Sequence, residues 1–141
     1  MSQSAVDPPA PEVVESELLW IDSLHRERLT GSGILTASAL LEKGSIPHGR
    51  KVVASDVDVR PDLLLRWVCK ADLMRVEGID AAMAESLHAL GMDTVVELAR
   101  RSPDQLLERW ALRHPEATPP TRETLLAWTK AAAELTGMIE Y

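Results

Sequence analysis

The sequence Leu73-Met74-Arg75-Val76-Glu77-Gly78-Ile79-Asp80-Ala81-Ala82-Met83-Ala84-Glu85-Ser86-Leu87 decides the fold of this protein. Its apolar residues recur at spacings of three and four on both sides of Gly78, which is typical of helices rather than strands. The glycine between them allows a tight turn, because it has no Cβ to restrict the backbone. The stretch therefore predicts a short helix, a turn at Gly78 and a second helix.

This stretch resembles the helix-hairpin-helix motif, in which an apolar-Gly-apolar-Gly run forms the hairpin. In that motif, backbone N–H groups at the start of the second helix face a nucleic-acid phosphate, which the helix dipole favours. Gly78 and Ile79 match the first half of the run, but Asp80 replaces the second glycine, and Ala81 and Ala82 stand where a basic residue would help. Because a carboxylate repels phosphate, the resemblance implies a hairpin with reduced affinity for anions.

Asp80 also has a simpler interpretation, which we prefer. An aspartate directly before a helix accepts a hydrogen bond from one of the first free N–H groups and stabilises the helix start. Here that helix would run from Ala81 to Leu90, and the cap would need no ligand.

The chain contains a candidate internal repeat. Residues 33–40 match residues 91–98 at glycine, apolar, threonine and leucine positions, and Trp67 matches Trp128 in a second apolar stretch at nearly the same offset. Two matches in the same order predict a duplicated helical unit whose last helix carries a tryptophan. In the first copy, Ser23 is placed where Gly78 stands in the second, so we expect no phosphate-binding hairpin there.

Signals for helix ends support short helices throughout the chain. Residues 94–97 and 102–105 have the form of a capping box, and the second has a proline in its first turn. Gly91 and Gly44 are predicted to be left-handed residues that end helices. The last helix is predicted over residues 122–135, with an amphipathic face that belongs to the core.

These patterns predict an all-α protein in which two pseudo-repeated helix-hairpin-helix units pack into one compact helical domain. The predicted division is a disordered acidic tail (1–15), a first, degenerate repeat (16–71), a second repeat (72–136) and a C-terminal tail (137–141). Residues 1–15 are proline-rich and acidic and lack the apolar periodicity that folding needs. The apolar residues 137–141 leave two alternatives open, since they can dock on the body of the protein or on a partner.

Several functional classes are disfavoured by what the 141-residue sequence lacks. Its four histidines are scattered, and its single cysteine, Cys69, lies in an apolar run, which favours a buried structural thiol over a metal or disulfide site. No catalytic motif is recognisable, so we expect a non-enzymatic protein without catalytic, cofactor-binding or metal-ligating residues. No signal peptide or long apolar run is found, which favours a cytoplasmic protein without membrane contact.

From about Glu17 to Leu135 the chain resembles a family of bacterial proteins, the DUF4332 domain, which is described as helix-hairpin-helix-like. The resemblance is carried by GSIPHGRK (44–51), WVCKADLMRVEG (67–78) and GMDTVVELA (91–99). It implies a helical fold and a link to nucleic-acid binding through the motif. It supplies no established activity, since a fold does not define a function.

Our leading functional hypothesis is a non-catalytic protein-protein interaction or scaffold module with a protein partner. A net charge of −7 gives no help towards nucleic acid, and the one recognisable hairpin carries a carboxylate. The alternative is weak, sequence-independent DNA or RNA binding through the Gly78 hairpin. Its candidate residues are Arg75, Gly78, Ile79, Arg50, Lys51, Arg100 and Arg101. This alternative requires the basic residues to lie on one face with Gly78.

Overall fold

The computed structural model describes residues 15–141, so the predicted disordered tail (1–15) lies outside the described residues except for Glu15. In this part of the chain there are eight helices and no strand. They are α1 (Ser23–Gly31), α2 (Ala37–Gly44), α3 (Pro47–Val57), α4 (Pro61–Leu73), α5 (Ala81–Ala89), α6 (Val95–Ala99), α7 (Pro103–Arg113) and α8 (Arg122–Glu134). The all-α prediction is confirmed.

Most of these helices begin at a side chain that caps the first turn. The residues that cap in this way, each by accepting the N–H of the third residue after it, are Asp22, Thr36, Asp80, Thr94, Ser102 and Thr121. The capping box predicted at Ser102 is confirmed, because the Gln105 side chain also accepts the Ser102 N–H. At Thr94 the box is incomplete, since Glu97 accepts the N–H of Asp93 instead. Local sequence therefore fixes where these helices start.

The two glycines predicted to end helices differ in backbone conformation. Gly91 has a φ of +93° and follows α5, as predicted. The prediction for Gly44 is wrong, because it is the last residue of α2, and Ser45 after it is also right-handed. Gly44 is needed for packing instead: a Cβ built there would lie 2.5 Å from Cγ2 of Val68 on α4.

The core consists of two hydrophobic clusters. The first is drawn from residues 18–71 and includes Trp67, and the second is drawn from residues 73–132 and includes Trp128. Helix α2 packs mainly on α4 in the first cluster, and α6 packs mainly on α8 in the second. Helix α4 passes from one cluster to the other between Ala71 and Leu73. The division at residues 71 and 72 stays a prediction, but it falls where the two clusters meet.

The same backbone hydrogen bonds occur twice, at one constant offset along the chain. The N–H to C=O pairs are Ile21 to Leu18, Gly33 to Thr30, Ile34 to Leu29 and Leu40 to Thr36, matched by Ile79 to Val76, Gly91 to His88, Met92 to Leu87 and Leu98 to Thr94. In this register Asp22 corresponds to Asp80, so Trp20 corresponds to Gly78. The placing of Ser23 opposite Gly78 is wrong, because the capping aspartate sets the start of both α1 and α5.

The correspondence between the two halves ends within the second helix of each, because these helices differ in length: α2 has 8 residues and α6 has 5. Duplication of the whole unit therefore stays a prediction.

The C-terminal residues dock on the body of the protein: Ile139 packs against the first cluster, and the Glu140 N–H donates to the Ser45 carbonyl at 2.7 Å.

Replacing Gly44 with alanine tests the close approach of α2 and α4. We expect Gly44→Ala to lower the free energy of unfolding by about 1–3 kcal/mol, because the new methyl group overpacks the contact with Val68. Gly31→Ala is the matched control, since a Cβ at this helical glycine meets nothing within 4 Å. Its unfolding free energy should be unchanged or raised by up to about 1 kcal/mol. Equal urea midpoints for the two variants would contradict this account of Gly44.

Candidate functional site

The candidate site suggested by the sequence is the turn between α4 and α5. Three backbone bonds tighten it, including one from the Ile79 N–H to the Val76 carbonyl at 3.1 Å. Gly78 is exposed and has a φ of +94°, a conformation that favours glycine. The predicted tight turn at Gly78 is therefore confirmed.

The two hairpin residues differ in exposure. A Cβ added at Gly78 would lie 3.0 Å from Nε1 of Trp128, so this turn packs closely on α8. Ile79 is 4% exposed and belongs to the second cluster, and its N–H is already bonded within the turn. Gly78 is therefore exposed on one side and packed against Trp128 on the other, whereas the side chain of Ile79 is used in the core.

Asp80 caps α5, as the preferred interpretation predicted. Its Oδ1 accepts the Met83 N–H at 2.8 Å. The side chain satisfies one of the N–H groups that a helix-hairpin-helix motif would offer to a phosphate. Together with the exposed Glu77, it places negative charge beside Gly78.

Two of the candidate arginines are bound within the protein. Arg50 is 7% exposed, and it donates to the carbonyls of Gly44 at 2.9 Å and Glu140 at 2.6 Å. Arg75 donates to Oδ1 of the buried Asp72 at 2.7 Å and to the Thr136 carbonyl at 2.9 Å. These guanidinium groups therefore stabilise the fold by binding acceptors within the protein.

The other basic candidates lie in separate places. Lys51 is exposed beside an open cleft of about 480 Å³ at the start of α3 and α4. Arg100 is exposed at the end of α6 and lines a different cavity of about 210 Å³, and Arg101 next to it is partly exposed. The two cavities share no residue, and Gly78 lines neither of them. The structure does not bring these candidates together around the Gly78 turn.

The corresponding turn before α1 carries a feature that sequence reasoning missed. Leu19 is 76% exposed and Leu24 is 53% exposed, and Trp20 between them in sequence is partly exposed. These residues lie within three positions of the capping Asp22, where the second half has Glu77, Gly78 and Ala82. The sequence signal for this exposed surface was the adjacent pair Leu19-Trp20 before a capping aspartate. It can be recognised only once Asp22 is aligned with Asp80.

Ion pairs fix the surroundings of this first turn. Lys70 on α4 lies over the Trp20 ring, 5.8 Å from its centroid, and pairs with Glu85 on α5 at 2.6 Å. Glu85 also accepts from Arg66 at 2.6 Å. The hydrogen bond from Lys70, followed by that from Arg66, lowers the pKa of Glu85, although burial opposes the shift. These two cations therefore share one carboxylate beside the turn.

Cys69 lies on α4 and is buried, as predicted for a structural thiol. Burial raises the pKa of this thiol to about 12, with a smaller contribution from Asp93. The thiol is therefore protonated at neutral pH and is a poor nucleophile.

In the comparison with known families, a domain of unknown function, DUF4332, matches residues 21–135. Comparisons with curated proteins and with solved structures give no match. Over residues 15–141, no helix has the length and apolar character needed to cross a membrane. In the same range, no group of three or more histidine, cysteine, aspartate or glutamate side chains is arranged to hold a metal ion.

The cap at Asp80 is tested by changing its charge and its hydrogen bonding separately. We expect Asp80→Ala to lower the free energy of unfolding by about 1 kcal/mol, because the Met83 N–H loses its acceptor. Asp80→Asn should stay within a few tenths of the wild-type value, since asparagine caps nearly as well. Urea unfolding followed by circular dichroism measures both variants. An alanine variant as stable as the asparagine variant would remove the capping role.

Proposed function

Since the chain belongs to the DUF4332 family, a domain of unknown function, we propose a role from its own surface: a non-catalytic protein-protein interaction module of helix-hairpin-helix type. The observation that supports this most is an exposed apolar segment at the start of α1, formed by Leu19 and Trp20 in the turn before the helix and by Leu24 in the helix. We call it the first turn. It occupies the position in the first half that corresponds to the Gly78 turn in the second half.

The chemistry of the first turn suits a protein partner. Clusters of exposed large apolar side chains mark interaction sites, because leaving them in water is unfavourable. Tryptophan is also enriched among the residues that dominate binding energy at interfaces. The side chains of Leu19 and Leu24 offer no hydrogen-bond donor to a phosphate, so these two residues do not favour nucleic acid.

The first turn is anchored by buried and hydrogen-bonded neighbours, which favours binding because ordered residues lose little freedom on association. Leu18 and Ile21, on either side of Leu19 and Trp20 in sequence, are 0% and 3% exposed. Asp22 anchors α1 by accepting the His25 N–H, and its carboxylate also contacts the His25 ring at 2.6 Å. Lys70, which pairs with Glu85 of the other half, also lies over the Trp20 ring.

The alternative, weak DNA or RNA binding through the Gly78 turn, has less support. Nonspecific binding takes its energy from cations that replace the counterions of the phosphates. Beside Gly78 stand the carboxylates of Glu77 and Asp80, and Arg75 is bound to Asp72 and Thr136. Of the candidate residues, Lys51, Arg100 and Arg101 remain able to supply such contacts.

The protein-binding proposal is tested by affinity capture from native cell extract with the double variant Leu19→Asp/Leu24→Asp as bait. We expect loss of the captured partner, because truncating interface hot spots costs about 2 kcal/mol or more each, or roughly thirtyfold in affinity. Leu112→Asp is the matched control, since Leu112 is 77% exposed on α7 in the other half. Circular dichroism must show that both baits are folded. Full recovery of the partner on the double variant would refute the first turn as the contact.

The alternative is tested by fluorescence anisotropy with duplex and single-stranded DNA and with RNA at about 50 mM salt. We expect a dissociation constant weaker than about 100 μM for each of them. Tighter binding that falls steeply with salt, and is lost in the variant Arg100→Glu/Arg101→Glu, would replace our proposal with nucleic-acid binding.

A further inference from the structure

The chain beyond α8 crosses both halves of the protein. We call residues 136–141 the tail, and we call the surface under it the tail groove, which is formed by Ser45, Arg50, Arg75 and Val96. Arg75 binds the tail at the Thr136 carbonyl at 2.9 Å, and Ser45 and Arg50 bind it further along, at Glu140. The groove therefore spans the junction between the two hydrophobic clusters.

The polar contacts of the groove are made with backbone atoms of the tail. The Thr136 carbonyl accepts from Arg75, the Glu140 N–H donates to Ser45, and the Glu140 carbonyl accepts from Arg50. Contacts of this kind do not depend on side-chain identity, as in the binding of extended peptides along a strand edge. Any extended segment with this spacing can supply them.

The groove is organised by bonds that do not involve the tail. Arg50 also donates to the Gly44 carbonyl, and Arg75 is held by Asp72, whose Oδ2 accepts the Val95 N–H at 2.9 Å. Both guanidinium groups therefore keep their positions when the tail leaves. The buried Arg50 would then lack one acceptor, which is unfavourable unless another carbonyl replaces it.

The tail fills its groove incompletely. Tyr141 is 69% exposed and Met138 is 38% exposed, and Ile139 is the tail residue that packs against a core cluster. Between the tail and helices α4 and α6 there remains a cavity of about 210 Å³. Segments with few buried apolar contacts open at low free energy, so the tail is the kind of segment that can be displaced.

We propose that the tail groove binds an extended segment of a partner protein and that the tail occupies the groove in the free chain. The inference rests on the proposed function as a protein interaction module. The partner segment has a small residue against Val96, because even a Cβ at Gly137 would lie 2.8 Å from Cγ2 of Val96. It has an aliphatic residue two positions later, in the place of Ile139, and backbone groups for Arg50 and Ser45 directly after that.

The test uses full-length chains and a fluorescent peptide of the tail sequence, LTGMIEY (residues 135–141). Glu140→Pro removes the N–H that donates to Ser45 and so weakens the resident tail. Glu140→Ala keeps the N–H and is the matched control. An attached tail competes at an effective concentration on the order of 1 mM, so a peptide that binds the open groove at about 10 μM should bind the closed chain roughly a hundredfold more weakly.

Tight binding to Glu140→Pro, with weak binding to the wild type and to Glu140→Ala, is the expected result. The same peptide with Ile139→Asp should bind none of the chains. Equal affinity for the proline and alanine variants would place the peptide elsewhere and overturn the proposal.

A measurement on the unmodified chain decides the matter if the proline variant does not fold. Unlabelled peptide at several mM should accelerate hydrogen exchange at the Glu140 N–H, because the displaced tail loses its bond to Ser45. No acceleration, or no binding by a folded proline variant, overturns the groove proposal. Either failure would leave the first turn untouched, since capture of the partner through Leu19 and Leu24 is measured separately.

Discussion

The buried carboxylate of Asp72 connects the parts of this protein that are far apart in sequence. Asp72 is 1% exposed at the end of α4, where it accepts the Val95 N–H at the start of α6 and pairs with Arg75. Arg75 in turn holds the Thr136 carbonyl beyond α8. A buried charge needs such partners, because an uncompensated one is costly. The position of α6 and the course of the tail therefore both depend on this ion pair.

The same requirement explains why basic residues in this chain are poor guides to phosphate binding. Arg50 and Arg75 each satisfy backbone carbonyls inside the protein. Lys70 is used between α4 and α5, where it pairs with Glu85. Cations that hold helices and loops together are not available to release counterions from nucleic acid. Arg50, Arg75 and Lys70 therefore stabilise the fold.

The two turns that precede α1 and α5 lead into helices that begin in the same way, but they present different surfaces. Both lead into a helix capped by aspartate, and both have the same hydrogen bond in the turn. The second turn has a left-handed glycine, Gly78, which packs on Trp128. The first turn has Trp20 at the corresponding position. Trp20 is not left-handed, since Asp58 is the non-glycine residue with positive φ among residues 15–141. The first turn can therefore expose apolar side chains without changing the way its helix begins. This difference is the physical basis for the protein-binding role that we propose.

Local chemistry determined what the sequence alone could predict. The caps at Asp80 and Ser102, the left-handed Gly91 and the course of α8 follow from hydrogen bonding and periodicity within a few residues, and the structure has all of them. The role of Gly44, by contrast, depends on the approach of Val68 on α4, which lies beyond the whole of α3 in the chain.

The tertiary structure alone decided the burial of Arg50 and the docking of the tail. Each depends on groups that only folding brings together, such as the carbonyls of Gly44 and Glu140 around one guanidinium. Sequence patterns record which residues can begin or end a helix, because those effects are local. They do not record which helix will pack against which, because that choice depends on the shape of the whole core.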